Sequence, residues 1–252
     1  YIDSVWDPFF GSGTERVLTS SVSQAFPVPD AGLGAFAYTM EMLSSFGNDR
    51  RWRTCPWLVL LFGLLTIPLA ITSIILIMLQ PIVVGSWCGL CLINAFFMLI
   101  PIPLAIDEVA ASIQYLRHSK EKPFFKLLFE GGSCPGAKPD HRTPALNRPI
   151  IELFKASFWG VTLPWNLCLC FVFGLWTMAC PAFFEMPKFL ADISQVVGAL
   201  TSVVSMVSFS EVVRSWRFLN FFLALSLLIG IFFAPFSFST LNLALIGLLI
   251  AI

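Results

Sequence analysis

Five stretches of this chain carry no charged side chain over lengths that match a lipid bilayer: residues 57–79, 81–106, 156–184, 193–210 and 218–252. Hydrocarbon offers a backbone no water to bond with. A segment that crosses it must pair its N–H and C=O groups internally, and an apolar run of about 20 residues does so as a helix. The last stretch is broken by Ala234-Pro-Phe-Ser-Phe-Ser-Thr240 into two helices. Composition agrees: the chain is 57% hydrophobic and 12% charged, with 26 Phe and 8 Trp, about half the charge of a soluble domain. A water-soluble core is excluded, and a formal net charge of zero gives nucleic acid nothing to hold. The expected fold class is all-α, a polytopic membrane helix bundle.

Residues 30–46 form a weaker candidate span, with Glu41 inside it and the small residues Ala31, Gly32, Gly34, Ala35 and Ala37 suited to close helix packing. An interfacial or core helix is the alternative. Cations order the helices. Arg50, Arg51 and Arg53 follow the first candidate, eight cations from Arg117 to Lys155 follow the third, and Arg214 and Arg217 follow the fifth. If the helices alternate, 13 of the 15 Lys and Arg share one side, and only Arg16 and Lys188 lie opposite. Lys and Arg concentrate in cytoplasmic loops, so residues 1–29, 80–87 and 185–192 are expected on the extracytoplasmic side.

Residues 119–155 read as a cytoplasmic linker between two modules, 1–118 and 156–252; its stretch 119–149 holds five Pro and three Gly. Within it, Pro123–Phe129 is amphipathic and suited to the inner membrane surface. The second module repeats itself. Asn166–Pro181 aligns without gaps on Asn220–Pro235 at an offset of 54, and each copy is followed by a helix running back, giving two helical hairpins. The chain opens on Tyr1 and closes on an apolar segment, 241–252, too short to span, so a fragment lacking a first helix and part of the last is expected.

Seven cysteines are present, and Cys88 and Cys91 form the one C-x-x-C, in Trp87-Cys-Gly-Leu-Cys at the mouth of an apolar run. One helical turn brings two such thiols within bonding reach, and a helix N-terminus stabilises a thiolate through its free N–H groups. The pair therefore reads as a thiol–disulfide centre near the outer face, where disulfides persist, with an electron partner in the lipid. The alternative is two small hydrophobes packed in a helix. Cys168 and Cys170 face different sides of their helix, Cys180 has no evident partner, and Cys55 and Cys134 fall on the cytoplasmic side. His118 and His141 lie in polar stretches away from every cysteine, so no metal site is expected.

The Trp87-Cys-Gly-Leu-Cys motif, the string Arg16-Val-Leu-Thr-Ser20, the helix opening Pro29-Asp-Ala-Gly-Leu-Gly34 and the closing Asp107-Glu108 together resemble the vitamin K epoxide reductase family over about residues 1–118. The string Ser4-Val-Trp-Asp-Pro-Phe-Phe-Gly11 looks closest to a bacterial branch. The resemblance implies a four-helix membrane core around a quinone of the ubiquinone or menaquinone type, its first helix missing here. It gives Cys91 the quinone side and Cys88 the electron-accepting side. It places Asp30 where the family binds the quinone carbonyl with an amide; a helix N-cap after Pro29 is the other reading of Asp30. A relay cysteine of the family's outer loop is replaced by Thr14, and residues 1–29 hold no cysteine.

Residues 156–252 resemble the small membrane domain named for a Ser-Pro-Trp repeat, imperfectly, through Leu163-Pro-Trp165 and Ser215-Trp-Arg217. Trp165 and Trp216 also read as interface anchors. The function implied is a membrane thiol:quinone oxidoreductase supporting disulfide formation, with a periplasmic thioredoxin-like partner and the quinone ring near Phe96 and Phe97. The setting implied is a bacterial inner membrane. A catalytically silent binding or scaffolding protein on the same fold is the alternative. A transporter fits less well, because Glu41 is the clearest charge inside the membrane runs.

Overall fold

The structure, a computed structural model, describes residues 7–23, 30–45, 51–119, 123–132, 149, 151, 161–233 and 238–251. Its helices in chain order are α1 (Gly13–Leu18), α2 (Asp30–Ser45), α3 (Arg51–Thr54), α4 (Pro56–Leu79), α5 (Gly89–Leu99), α6 (Pro101–His118), α7 (Phe124–Glu130), α8 (Trp165–Phe183), α9 (Lys188–Val207), α10 (Leu219–Phe232) and α11 (Phe238–Ala251). Among the described residues, extended pairing is limited to an isolated bridge between Val161 and Ser210. Five helical stretches there are long and apolar enough to cross a membrane: Pro56–Val84, Gly89–His118, Trp165–Phe183, Lys188–Val207 and Arg214–Phe232. The chain is an all-α polytopic helix bundle.

Prolines decide where the apolar runs become helices. Pro56 opens α4 at its first position, where a missing N–H costs nothing. Run 81–106 does not form one helix. Pro81 cannot donate to the ladder, and Gln80–Val84 widens into a π turn that finishes the preceding helix. Gly85, at φ 70°, turns the chain, and the helix resumes at Gly89. Pro101 then starts α6 one residue after α5 ends. Within run 156–184 a helix starts at Trp165, behind Pro164; residues 152–160 lie outside the described set. Of the candidate span 30–46, the described residues 30–45 form a helix of 16 residues.

The linker is partly folded. Its amphipathic piece forms α7, which buries Leu127 completely. Gly131, at φ 68°, passes tight against the carbonyls of Arg53 and Thr54, and the Gly132 amide donates to the Arg53 carbonyl at 3.1 Å. Nearby, Trp52 meets Tyr115 edge-to-face at 5.8 Å and Arg53 lies over the Tyr115 ring at 5.3 Å. The two modules also touch directly. Ala70, Ile102 and Val207 form a buried cluster walled by Leu99, Ile106, Val203 and Val213. Ser210 donates to Asp107 at 2.6 Å across the same junction.

In the second module, Asn166 and Asn220 both stand in the first turn of a helix, α8 and α10. The copies differ in detail: Asn166 is exposed, whereas Asn220 is buried and donates to Ser205 at 3.0 Å. Pro235, the closing residue of the second copy, lies outside the described residues. Helices α8 and α9 pack backbone to backbone through Gly174 and Gly198. A Cβ on Gly174 would sit 2.8 Å from the Ser202 amide, and one on Gly198 would run into the Met178 amide and sit 2.6 Å from the Gly174 carbonyl. Small residues drive helix association in lipid because no hydrophobic force operates there. Gly198→Val should therefore cost about 1–3 kcal/mol and lower the melting temperature of the full chain in detergent. Gly34→Ala, where an added Cβ meets nothing within 4 Å, should leave it unchanged.

Candidate active site

Cys88 caps the N-terminus of α5 in an extended conformation, and Cys91 lies in the first turn. The two are joined as a disulfide with Cα atoms 5.3 Å apart, a separation usual for such bonds. Among the described residues, Cys55, Cys168, Cys170 and Cys180 are free; Cys134 lies outside them. The Cys91 amide donates to the Cys88 sulfur at 3.2 Å, so one helix N–H already points at the position a thiolate would take. No three metal-ligating side chains converge among the described residues.

Three polar side chains that the motif alone does not reveal surround the pair. Gln80, 3% exposed, accepts the Cys88 amide at 3.2 Å. It is the first residue of the π turn, which places its side chain beside the cysteine. Asp7, 7% exposed, accepts the Gly89 amide at 3.0 Å, the Phe9 amide at 3.0 Å and the Phe10 amide at 3.1 Å. It also accepts the Thr14 hydroxyl. Thr14, fully buried, takes a share of the Gly89 amide at 3.2 Å. Gly13 is pressed against the Trp87 carbonyl with no room for a Cβ. Segment 7–20 is thus sewn to the start of α5, and Cys88 has no exposed surface, whereas Cys91 is half-buried. Cys88, to which the resemblance gives the electron-accepting side, is covered by α1 and the turn before it.

One face of α5 carries an open apolar groove, which neither cysteine lines. A space of 660 Å³ is lined by Leu90, Ile93, Asn94 and Phe97 of α5, by Pro101, and by Tyr38 of α2. The volume suits a small organic molecule. Asn94 is one turn beyond Cys91 on the same helix face, and Tyr38 donates to the Asn94 main-chain carbonyl at 3.2 Å, tying α2 to α5. Phe96 points elsewhere, into a cleft of 80 Å³ against Phe171, Leu175 and Met178 of the second module. The two phenylalanines do not share one pocket. Asp30 is the first residue of α2, but its side chain lies outside the described residues. Trp165 and Trp216 are both more than half exposed at their helix starts.

Residues 10–106 match the sequence model of the Vitamin K epoxide reductase family. Over that stretch the chain is similar to this family. The match takes in α1, the cysteine pair and the Tyr38–Asn94 contact, and it ends within α6. Neither the curated proteins nor the solved structures contain a match to this chain.

The buried carboxylate gives the site a pH dependence. The Thr14 hydroxyl, with the amides of Phe9, Gly89 and Phe10, outweighs desolvation and lowers the Asp7 pKa from 3.8 to about 2. A depressed carboxylate stabilises the fold above its unfolded pKa of about 3.9, and that contribution is lost as pH falls through the folded value. Melting temperatures of wild type and Asp7→Asn should differ near about pH 6 and converge as the pH drops from about 4 towards 2. A gap independent of pH would show that the charge does not hold the segment.

Proposed function

We propose that the chain is a membrane thiol:quinone oxidoreductase. The observation that carries this reading is the Cys88–Cys91 disulfide at the head of a membrane helix, with a 660 Å³ apolar cavity one turn along the same helix. A thiolate of a substrate dithiol attacks the Cys88 sulfur and releases Cys91 as a thiolate. The second substrate thiol resolves the mixed disulfide, so the substrate leaves oxidised and both cysteines are reduced. The pair then gives two electrons and two protons to a quinone in the cavity, which leaves as quinol while the disulfide reforms.

The cavity chemistry fits a quinone ring. Its walls are largely apolar, with the Asn94 amide as a hydrogen-bond donor for a carbonyl oxygen. With α2 and α5 both running inward, Asp30 stands about 12 Å before Tyr38 and Cys88 about 9 Å before Asn94 along their axes. Asp30 then lies near the level of the cysteine pair, where it serves as a second carbonyl contact or as the cap of α2. The ring is placed beside Phe97 rather than Phe96, because the Asn94 amide there offers a donor to a carbonyl oxygen.

The clustering of cations on one side supports an orientation with the pair extracytoplasmic, in a bacterial plasma membrane, with ubiquinone or menaquinone as acceptor. With Thr14 in place of a relay cysteine, electrons come from a separate thioredoxin-like protein. Residues 156–252 then serve as a Ser-Pro-Trp repeat-like membrane module packed against this domain. A second reading, a silent scaffold, draws on the complete burial of Cys88. Quinol formation by purified protein with a dithiol and a soluble quinone separates the two. Cys88→Ala and Cys91→Ala should each reduce it to background, and full activity in both would refute the assignment. Asn94→Leu should raise KM for the quinone about tenfold with little change in kcat.

A further inference from the structure

Cys88 is the sulfur that the proposed reaction needs open, and it is the one the fold hides. Its residue has no exposed surface. The cover is segment 7–20, whose hold on α5 is concentrated in a few polar contacts. Both Asp7 and Thr14 meet the single amide of Gly89, the residue that follows Cys88. Thr14 also donates to Asp7, and that carboxylate fixes its own turn through the amides of Phe9 and Phe10. Gly13 lets the cover lie flat on the Trp87 carbonyl. Beside these contacts Val17 is buried, whereas Phe9 is 80% exposed and Glu15, Arg16 and Leu18 are exposed as well. A cover held by a buried polar cluster and one apolar side chain opens as a unit when that cluster breaks.

We propose that Asp7 and Thr14 are positioning residues that hold the outer segment shut over Cys88, so that opening of this segment is the step that admits electrons from a thiol. The inference rests on the oxidoreductase reading for its purpose but not for its mechanics. Cys91 is half-buried, with Asn94 of the groove one turn further along α5, so it keeps exposed surface while the cover is closed. The two half-reactions are thereby kept apart: the thiol donor meets Cys88 only in the open form, and the acceptor meets Cys91 in the closed one. Gln80 holds the Cys88 amide from the membrane side in both forms, so the cysteine keeps its place when the cover leaves.

The test follows disulfide reduction alone, without a quinone. The full chain in detergent, oxidised, is mixed with reduced thioredoxin, and free Cys88 and Cys91 are counted over time by a gel-shifting maleimide. Thr14→Val keeps the side-chain shape and removes the hydroxyl, and Asp7→Asn removes the charge. Each should speed reduction about tenfold, the effect of losing one buried hydrogen bond, while Thr14→Ser should stay within about twofold of wild type. Wild-type rates in Thr14→Val, or a Thr14→Ser variant as fast as Thr14→Val, would overturn the proposal. Thr14→Val carries the test if Asp7→Asn does not fold. If the variants are reduced faster yet no quinol forms with any quinone, the cover stands and the acceptor reading falls.

Discussion

The amide of Gly89 is the point on which the outer half of this protein depends. It is the first helical N–H after Cys88, and helix starts leave such groups without partners in the helix. Here that amide is shared between a carboxylate and a hydroxyl from residues 82 and 75 positions earlier in the chain. One donor thereby fixes the start of α5, the closure of segment 7–20 and the burial of Cys88. Only a helix start has this capacity, because amides further along are already paired. The C-x-x-C must sit at the helix start for its thiolate chemistry, and the same location gives the cover its anchor.

The membrane helices were legible in the sequence because their cause is local. An uncharged run of about 20 residues has one stable form in lipid, and prolines start helices within or beside these runs, as Pro56, Pro101 and Pro164 do. The cysteine pair was legible for the same reason, since its spacing is contained in one turn. Asp7, Thr14 and Gln80 were not. Each is an ordinary polar residue in a polar or boundary stretch, and its role exists only after the chain returns to it across many residues. Thr14 stood out only as a missing cysteine, and what it does instead is written in Asp7 and Gly89. The amphipathic piece 123–129 could be read as a helix. Its packing against Arg53 and Thr54 required Gly131 at positive φ, which no pattern of hydrophobicity encodes.

The second module belongs to the same problem of packing without a hydrophobic drive. Its helices meet the first module through small and medium apolar groups at Ala70, Ile102 and Val207, and Asp107, which accepts the Ser210 hydroxyl and the Val212 amide, marks the register. Phe96 leans into that seam rather than into the cavity beside Asn94. Successive residues of a helix point about 100° apart, so Phe96 and Phe97 serve different neighbours although they adjoin in sequence. The seam steadies one face of α5, and the opposite face keeps the cavity. Fixing a redox helix from one side leaves the other free to receive a ligand.

The two sulfurs of the pair consequently stand in unlike surroundings although they share a bond. Cys88 is enclosed by buried polar groups, among them a carboxylate that is tolerable there only because four donors satisfy it. Cys91 lies in the first turn of α5, half-buried, next to Leu90 of the apolar groove. On the function proposed above, a thiol donor and a quinone would therefore meet different sulfurs. That separation follows from where the helix begins and from which of its first residues the outer segment covers. With Thr14 where the resembled family has a relay thiol, the electron flow proposed above would take its direction from that asymmetry.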